Sequence, residues 1–148
     1  MSKIIIRQMN TEDIDQVMKI EHASFGVPWT SDIFEKELTE NPYAAYFVIE
    51  ESGTIFGYCG LWLVIDEASI TNIALLPSYR GHNYGTALFQ YVINQAKALG
   101  AHRLSLEVRK TNHVAQKMYR KFGLEPGGIR KRYYTDNNED AIVMWVKL

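Results

Sequence analysis

The chain has little of what would take it out of the ordinary globular class. Its one cysteine, Cys59, leaves no internal disulfide to form, and the setting Gly57-Tyr58-Cys59-Gly60 reads as a strand interior rather than the seat of a nucleophile. No apolar run approaches the length needed to cross a membrane, and Arg7, Glu12 and Asp13 stand where a signal peptide would be apolar. The expected location is therefore the cytoplasm, without a membrane partner. Neither sign of charge is in excess: 16 Lys and Arg against 17 Asp and Glu leave a formal charge of −1, which argues against gripping nucleic acid by a general field. The four histidines lack metal-ligand spacing, so no metal is expected. Repeats, low-complexity tracts and linkers are also missing. With 47% apolar residues in 148, the chain has the makings of one core, and residues 1–148 read as one domain.

The periodicities that are present define an order of elements. Residues 3–8 read as a strand, after which Asn10 or Thr11 can cap a helix with Ile14, Val17 and Met18 on one face, ending near Phe25-Gly26. Beyond Val27-Pro28-Trp29, Thr30 or Ser31 can cap a short helix with Ile33, Phe34 and Leu38 inward, closed by Asn41-Pro42. Residues 44–50, 54–63 and 68–75 read as an antiparallel meander, its first turn at Glu51-Ser52-Gly53. A helix from Gly85 sets Leu88, Phe89, Val92, Ile93 and Ala96 on one stripe and stops at Gly100. A strand over 103–108 follows, then a helix over 112–122 with Val114, Ala115, Met118, Tyr119 and Phe122 inward and Gly123 as its stop. A strand within 124–134 and a last one over 141–146 complete βααβββαβαββ, an α/β chain with a mixed sheet and helices on both faces.

The most informative stretch joins the third meander strand to the amphipathic helix. The turn Arg80-Gly81-His82-Asn83-Tyr84-Gly85-Thr86 leaves backbone N–H groups unpaired at a helix mouth, where the macrodipole also favours an anion. Gly81 and Gly85 permit close approach of a ligand to the backbone, and Arg80 can grip phosphate oxygens through paired donors. No Lys-Ser or Lys-Thr follows the last glycine, and no G-x-G-x-x-G opens an N-terminal βαβ unit, so neither common nucleotide loop applies.

With Arg80, Asn83 and Gly85 in its three key positions, the turn resembles the pyrophosphate loop of the GCN5-related N-acetyltransferases, written Arg/Gln-x-x-Gly-x-Gly/Ala. Asn83 replaces the usual middle glycine and is the side chain that best tolerates left-handed backbone after glycine. The element order agrees, and the resemblance covers essentially the whole chain. More narrowly, Pro28-Trp29-Thr30, Leu106-Glu107-Val108-Arg109, the helix Asn112-x-x-Ala115-x-x-x-Tyr119-x-x-x-Gly123 and Arg132-Tyr133-Tyr134 resemble the ribosomal-protein alanine N-acetyltransferases. Leu124 stands where that bacterial branch usually has Phe, a change of packing rather than chemistry.

The resemblance implies acetyl-coenzyme A as cosubstrate, held by Arg80, Gly81, His82, Asn83, Tyr84, Gly85, Thr86 and Asn112. It further implies that the strand bearing Ile73 and Leu75 splays from its neighbour and frees backbone N–H groups for the pantetheine arm and acetyl carbonyl. By the same resemblance, Glu107 takes a proton from the amine directly or through water, Tyr119 returns one to the thiolate, and Pro28, Trp29, Arg132, Tyr133 and Tyr134 clamp a peptide N-terminus, that of a small-subunit ribosomal protein. Each residue has a plainer reading. Glu107 can be a strand carboxylate paired with Arg109 or Arg103, Tyr119 an inward aromatic, Trp29 a hydrophobic staple, and Arg130-Lys131-Arg132 a solvated face. Two other functions remain open: acetylation of a lysine or small-molecule amine, and acyl-coenzyme A sensing without turnover.

Overall fold

A computed structural model describes residues 3–148. Strand β1, Ile4–Gln8, leads to Asn10, whose side chain accepts the Glu12 N–H at 2.9 Å while the Asp13 carboxylate accepts the Asn10 N–H at 2.9 Å. This reciprocal cap settles the start on Asn10 and opens a single 3-10 turn before helix α1, Ile14–Ser24. Thr30 caps α2, Ser31–Thr39, by accepting the Ile33 N–H at 3.3 Å. Strands β2, Ala44–Glu51, β3, Thr54–Val64, and β4, Glu67–Leu75, form the meander. Between β2 and β3, Ser52 and Gly53 both have positive φ, 49° and 89°, the backbone twist that suits a two-residue hairpin turn. The remaining elements are α3, Tyr84–Ala98, β5, Arg103–Arg109, α4, His113–Lys121, β6, Glu125–Tyr134, and β7, Glu139–Lys147.

The strands make one mixed sheet in the order β1-β2-β3-β4-β5-β7-β6, with only β4 and β5 parallel. Alternation along β2 divides the core. Tyr46 and Val48 join Val17, Ile20 and Phe34 under α1 and α2, while Phe47 and Ile49 join Leu88, Phe89 and Val92 under α3. Cys59 is wholly buried in the second cluster, and burial pushes its thiol pKa well up, as its strand-interior reading requires. The edge strand β6 is exposed at all positions but Tyr134; Pro126 and the charges of residues 130–132 discourage edge-to-edge pairing.

Two inward assignments fail. Ile33 is 40% exposed because it faces an open cleft, and Val114 is 84% exposed because α4 is short and buries Gln116 and Tyr119 instead. Gln116 is affordable there since its amide donates to the Arg109 and Lys110 carbonyls at 2.9 and 3.0 Å, tying α4 to the end of β5.

Candidate active site

The parallel pair β4–β5 is joined only at Glu67–Arg103, Ala68–Leu104 and Ser69–Ser105, although β4 runs on to Leu75 and β5 to Arg109. The cause lies in β4. Its register with β3 passes from Ile70 opposite Leu61 to Asn72 opposite Gly60, leaving Thr71 as an extra residue, and such a bulge bends its strand. Gly60 makes room for it: a Cβ there would lie 2.3 Å from Thr71 Oγ1 and 2.4 Å from Tyr46 Cε1. Beyond the bulge the Leu76 N–H donates to the Phe56 carbonyl at 2.7 Å, so by antiparallel alternation Ala74 also faces β3 while Ile73 and Leu75 present their N–H groups to the gap. The splay expected at Ile73 and Leu75 is therefore present.

At the end of β4 the chain enters the glycine-bearing turn. Gly81 has φ 83° and Asn83 φ 65°, so Asn83 adopts the left-handed backbone foreseen for it. Asn83 starts α3 without a side-chain cap, which leaves the first-turn N–H groups open to an anion. Beneath the turn Tyr79 stacks on Phe56 at 4.0 Å, with Tyr84 edge-on to Phe56 at 5.0 Å. Arg80 spends two donors on the fold, Nε to the Leu75 carbonyl at 3.1 Å and Nη2 to Ser24 Oγ at 3.2 Å. The open N–H row and the unfilled space at Gly81 fit a phosphate-bearing cosubstrate.

A cleft of about 750 Å³ lies between the α1–α2 connection, the splayed strands and the β6–β7 hairpin. Glu107, Tyr119, Asn112, Trp29, Tyr133 and Tyr134 line it together, as do Pro28 and Ile73. Leu75 and residues 80–86 lie outside that lining, and so does Arg132. Arg132 occupies a left-handed position (φ 53°) in a β6 irregularity, its N–H donating to Asp140 at 2.9 Å.

The partners proposed for a purely structural Glu107 are not the ones it has. Arg109 pairs with Asp136 at 2.8 Å and Glu139 at 3.3 Å, and Arg103 lies over the Trp145 ring at 4.1 Å. Glu107 instead meets Arg130 Nε at 3.2 Å, with the Arg130 side chain still largely solvated, as its solvated-face reading has it. Tyr119 is 5% exposed and its ring packs on Phe89 at 5.2 Å. Burial, then the neighbouring Cys59 and Tyr134, push its phenol pKa up, so at neutral pH it is a protonated donor. Asn112 caps α4 by accepting the Ala115 N–H at 3.2 Å. Trp29 packs on Phe34 at 5.3 Å, four residues into α2, which is a hydrophobic staple, and it also walls the cleft. Tyr134 lies under Arg109 at 4.0 Å; burial is the main reason its phenol is pushed up to about 12.

Glu21 escaped the sequence reading. It lines the cleft at 2% exposure, accepting the Tyr58 hydroxyl on one oxygen and the Trp29 N–H on the other at 2.6 Å. Burial raises its carboxyl pKa against the pull of those two donors. Its spacing from Ile14, Val17 and Met18 puts it on the inward face of α1, and a carboxylate on an apolar stripe was the available signal.

Glu139 braces the turn that carries Asn112. It accepts the Thr111 N–H at 2.9 Å and the Thr111 hydroxyl, and these bonds lead the causes that draw its carboxyl from 4.5 down to about 2. A carboxyl lowered on folding contributes fully above its ordinary value and loses that contribution as pH falls through the folded one. The melting-temperature gap between wild type and Glu139→Gln is expected to narrow from pH 4.5 to about 2, as thermal scans across that range would register.

A bulged, splayed parallel pair beside an uncapped, glycine-led helix mouth defines an acyl-coenzyme A-dependent N-acetyltransferase. Residues 14–124 match the model of the Acetyltransferase (GNAT) family, and the chain belongs to that family. It is 56% identical over 147 residues to a protein of Bacillus subtilis (strain 168) provisionally named a ribosomal protein bS18-alanine N-acetyltransferase, covering 99% of this chain and 97% of the relative. The ribosomal protein bS18-alanine N-acetyltransferase of Escherichia coli (strain K12) is 33% identical over 94% of each chain. A crystal structure of the Escherichia coli ribosomal-protein-S18-alanine N-acetyltransferase superposes with a TM-score of 0.90 at 30% identity, over 98% of this chain and 94% of the other.

Proposed function

We propose that the chain transfers the acetyl group of acetyl-coenzyme A to the N-terminal α-amine of a protein, the alanine of ribosomal protein bS18, by direct attack in a ternary complex. The observation that supports this reading is a single cleft lined by Glu107, Tyr119 and Ile73 together with Trp29, Tyr133 and Tyr134. The names of the relatives support the acceptor. Such an acceptor places the protein in the cytoplasm.

Acetyl-coenzyme A supplies the thioester; the chain positions it and manages charge. Residues 80–86 hold the phosphates, Asn112 and the free edge of β4 hold the pantetheine arm, and the N–H groups of Ile73 and Leu75 bond the pantetheine and acetyl carbonyl. The amine forms the C–N bond as the C–S bond breaks, Glu107 accepts the amine proton directly or through a water, and Tyr119 donates to the departing sulfur. An α-amine with pKa near 7.8 costs only about 0.5 kcal/mol to deprotonate at pH 7.4, against about 4 for a lysine. One preorganised donor to the carbonyl contributes roughly 3 kcal/mol, so positioning outweighs the base.

The test is mass spectrometry of two alanine-led peptides with an internal lysine, one with a free and one with a blocked N-terminus. Acetyl on the free N-terminus alone is expected. Modified lysine moves the assignment to the lysine or small-amine branch, and binding without transfer supports a sensor.

A further inference from the structure

We propose that Glu21 is a positioning residue for the acceptor, fixing the α1–α2 connection to the β4 bulge through a hydrogen-bond chain. This rests on the transfer reaction proposed above. The chain starts at the bulge: Thr71 Oγ1 donates to Asn72 Oδ1 at 2.7 Å, Asn72 Nδ2 donates to the Tyr58 hydroxyl at 2.8 Å, and that hydroxyl donates to Glu21. All three donors point one way, so the series must end on an acceptor. A carboxylate satisfies this and keeps its second oxygen for the Trp29 N–H.

The second helix meets the same bulge by contact. Tyr46 donates its one hydroxyl proton to Glu37 of α2 at 2.7 Å, and its hydroxyl oxygen lies 3.4 Å from Thr71 Oγ1, whose own proton goes to Asn72. The loop carrying Pro28 and Trp29 is thus hydrogen-bonded to the β4 bulge through Glu21, and the helix after it touches the same bulge through Tyr46. The placement of the acceptor wall is coupled to the strand whose Ile73 and Leu75 N–H groups face the reaction gap. Burial makes the Tyr58–Glu21 link stiff, since the hydroxyl of the fully buried Tyr58, left unpaired, has no water to turn to.

Glu21→Gln tests this with almost no change of volume. A glutamine offers one acceptor and one donor group where two donors arrive, and the Trp29 N–H, being backbone, cannot turn to accept. Steady-state kinetics are expected to show the KM for an alanine-led peptide rising about tenfold, kcat changing less than about threefold, and the KM for acetyl-coenzyme A staying within about twofold. Tyr58→Phe, which keeps the ring against Phe34, should raise the peptide KM in the same direction by a smaller factor. If Glu21→Gln does not fold, Tyr58→Phe is judged by the same criterion. A lower melting temperature with unchanged peptide KM, or an equal loss for both substrates, overturns the positioning role while leaving the reaction intact. A wild-type chain that acetylates no α-amine overturns the reaction and this role together.

Discussion

Tyr119→Phe is expected to lower kcat by about 100-fold or more while acetyl-coenzyme A binding stays within about twofold. Phenylalanine keeps the packing against Phe89 and removes only the hydroxyl of a buried side chain that lines the cleft. Raised above its ordinary range mainly by burial, that phenol is always protonated at working pH and always able to donate to a sulfur acquiring charge. The same desolvation strengthens the bond, because no water competes for either partner. Single-turnover release of the coenzyme A thiol, with calorimetric titration of the cosubstrate, separates the two quantities. Unchanged turnover would return Tyr119 to the rank of an inward aromatic on α4.

The second large effect is expected at Gly60→Ala. The added methyl meets three atoms at once: Thr71 Oγ1 at 2.3 Å, the Tyr46 ring at 2.4 Å and Asn72 Oδ1 at 2.8 Å. Two of these belong to the bulge and none is the free end of a long side chain. Overpacking of this type costs about 1–3 kcal/mol, which for a chain of this length lowers the melting temperature by roughly 2–12 °C. Function should suffer more than stability. The cheapest relief is to push the bulge off β3, which turns the Ile73 and Leu75 N–H groups away from the gap, and a misplaced donor forfeits most of its roughly 3 kcal/mol. A fall in kcat/KM of about 100-fold is expected, with thermal scans and kinetics run side by side. Gly128→Ala on edge strand β6 is the control, since nothing lies within 4 Å of its added methyl, and both quantities should stay near wild type.

Much of this was written in local sequence. The apolar stripe of α3, the stop at Gly123 and the strand setting of Cys59 are short-range patterns, and the left-handed Asn83 follows from its place after a glycine in a tight turn. Failures came where exposure depends on what another element covers. Ile33 and Val114 sit at helical spacing yet face a cleft and solvent. Glu21 was passed over because a carboxylate on an apolar stripe becomes intelligible only when Tyr58 and the Trp29 N–H, separated from it by 37 and 8 positions, are seen to converge on it.

The sequence by itself determined the order of elements, the helix mouth made for an anion, and the residue types able to move protons, because each depends on backbone preference and spacing within one turn or strand. The tertiary structure decided that Glu107 answers to Arg130 rather than Arg103 or Arg109, that Trp29 staples α2 and walls the cleft at once, and that one extra residue at Thr71 opens the sheet. Those outcomes depend on register between strands distant in the chain. A one-residue slip there re-aims every donor beyond it, and nothing local encodes which neighbour will be met.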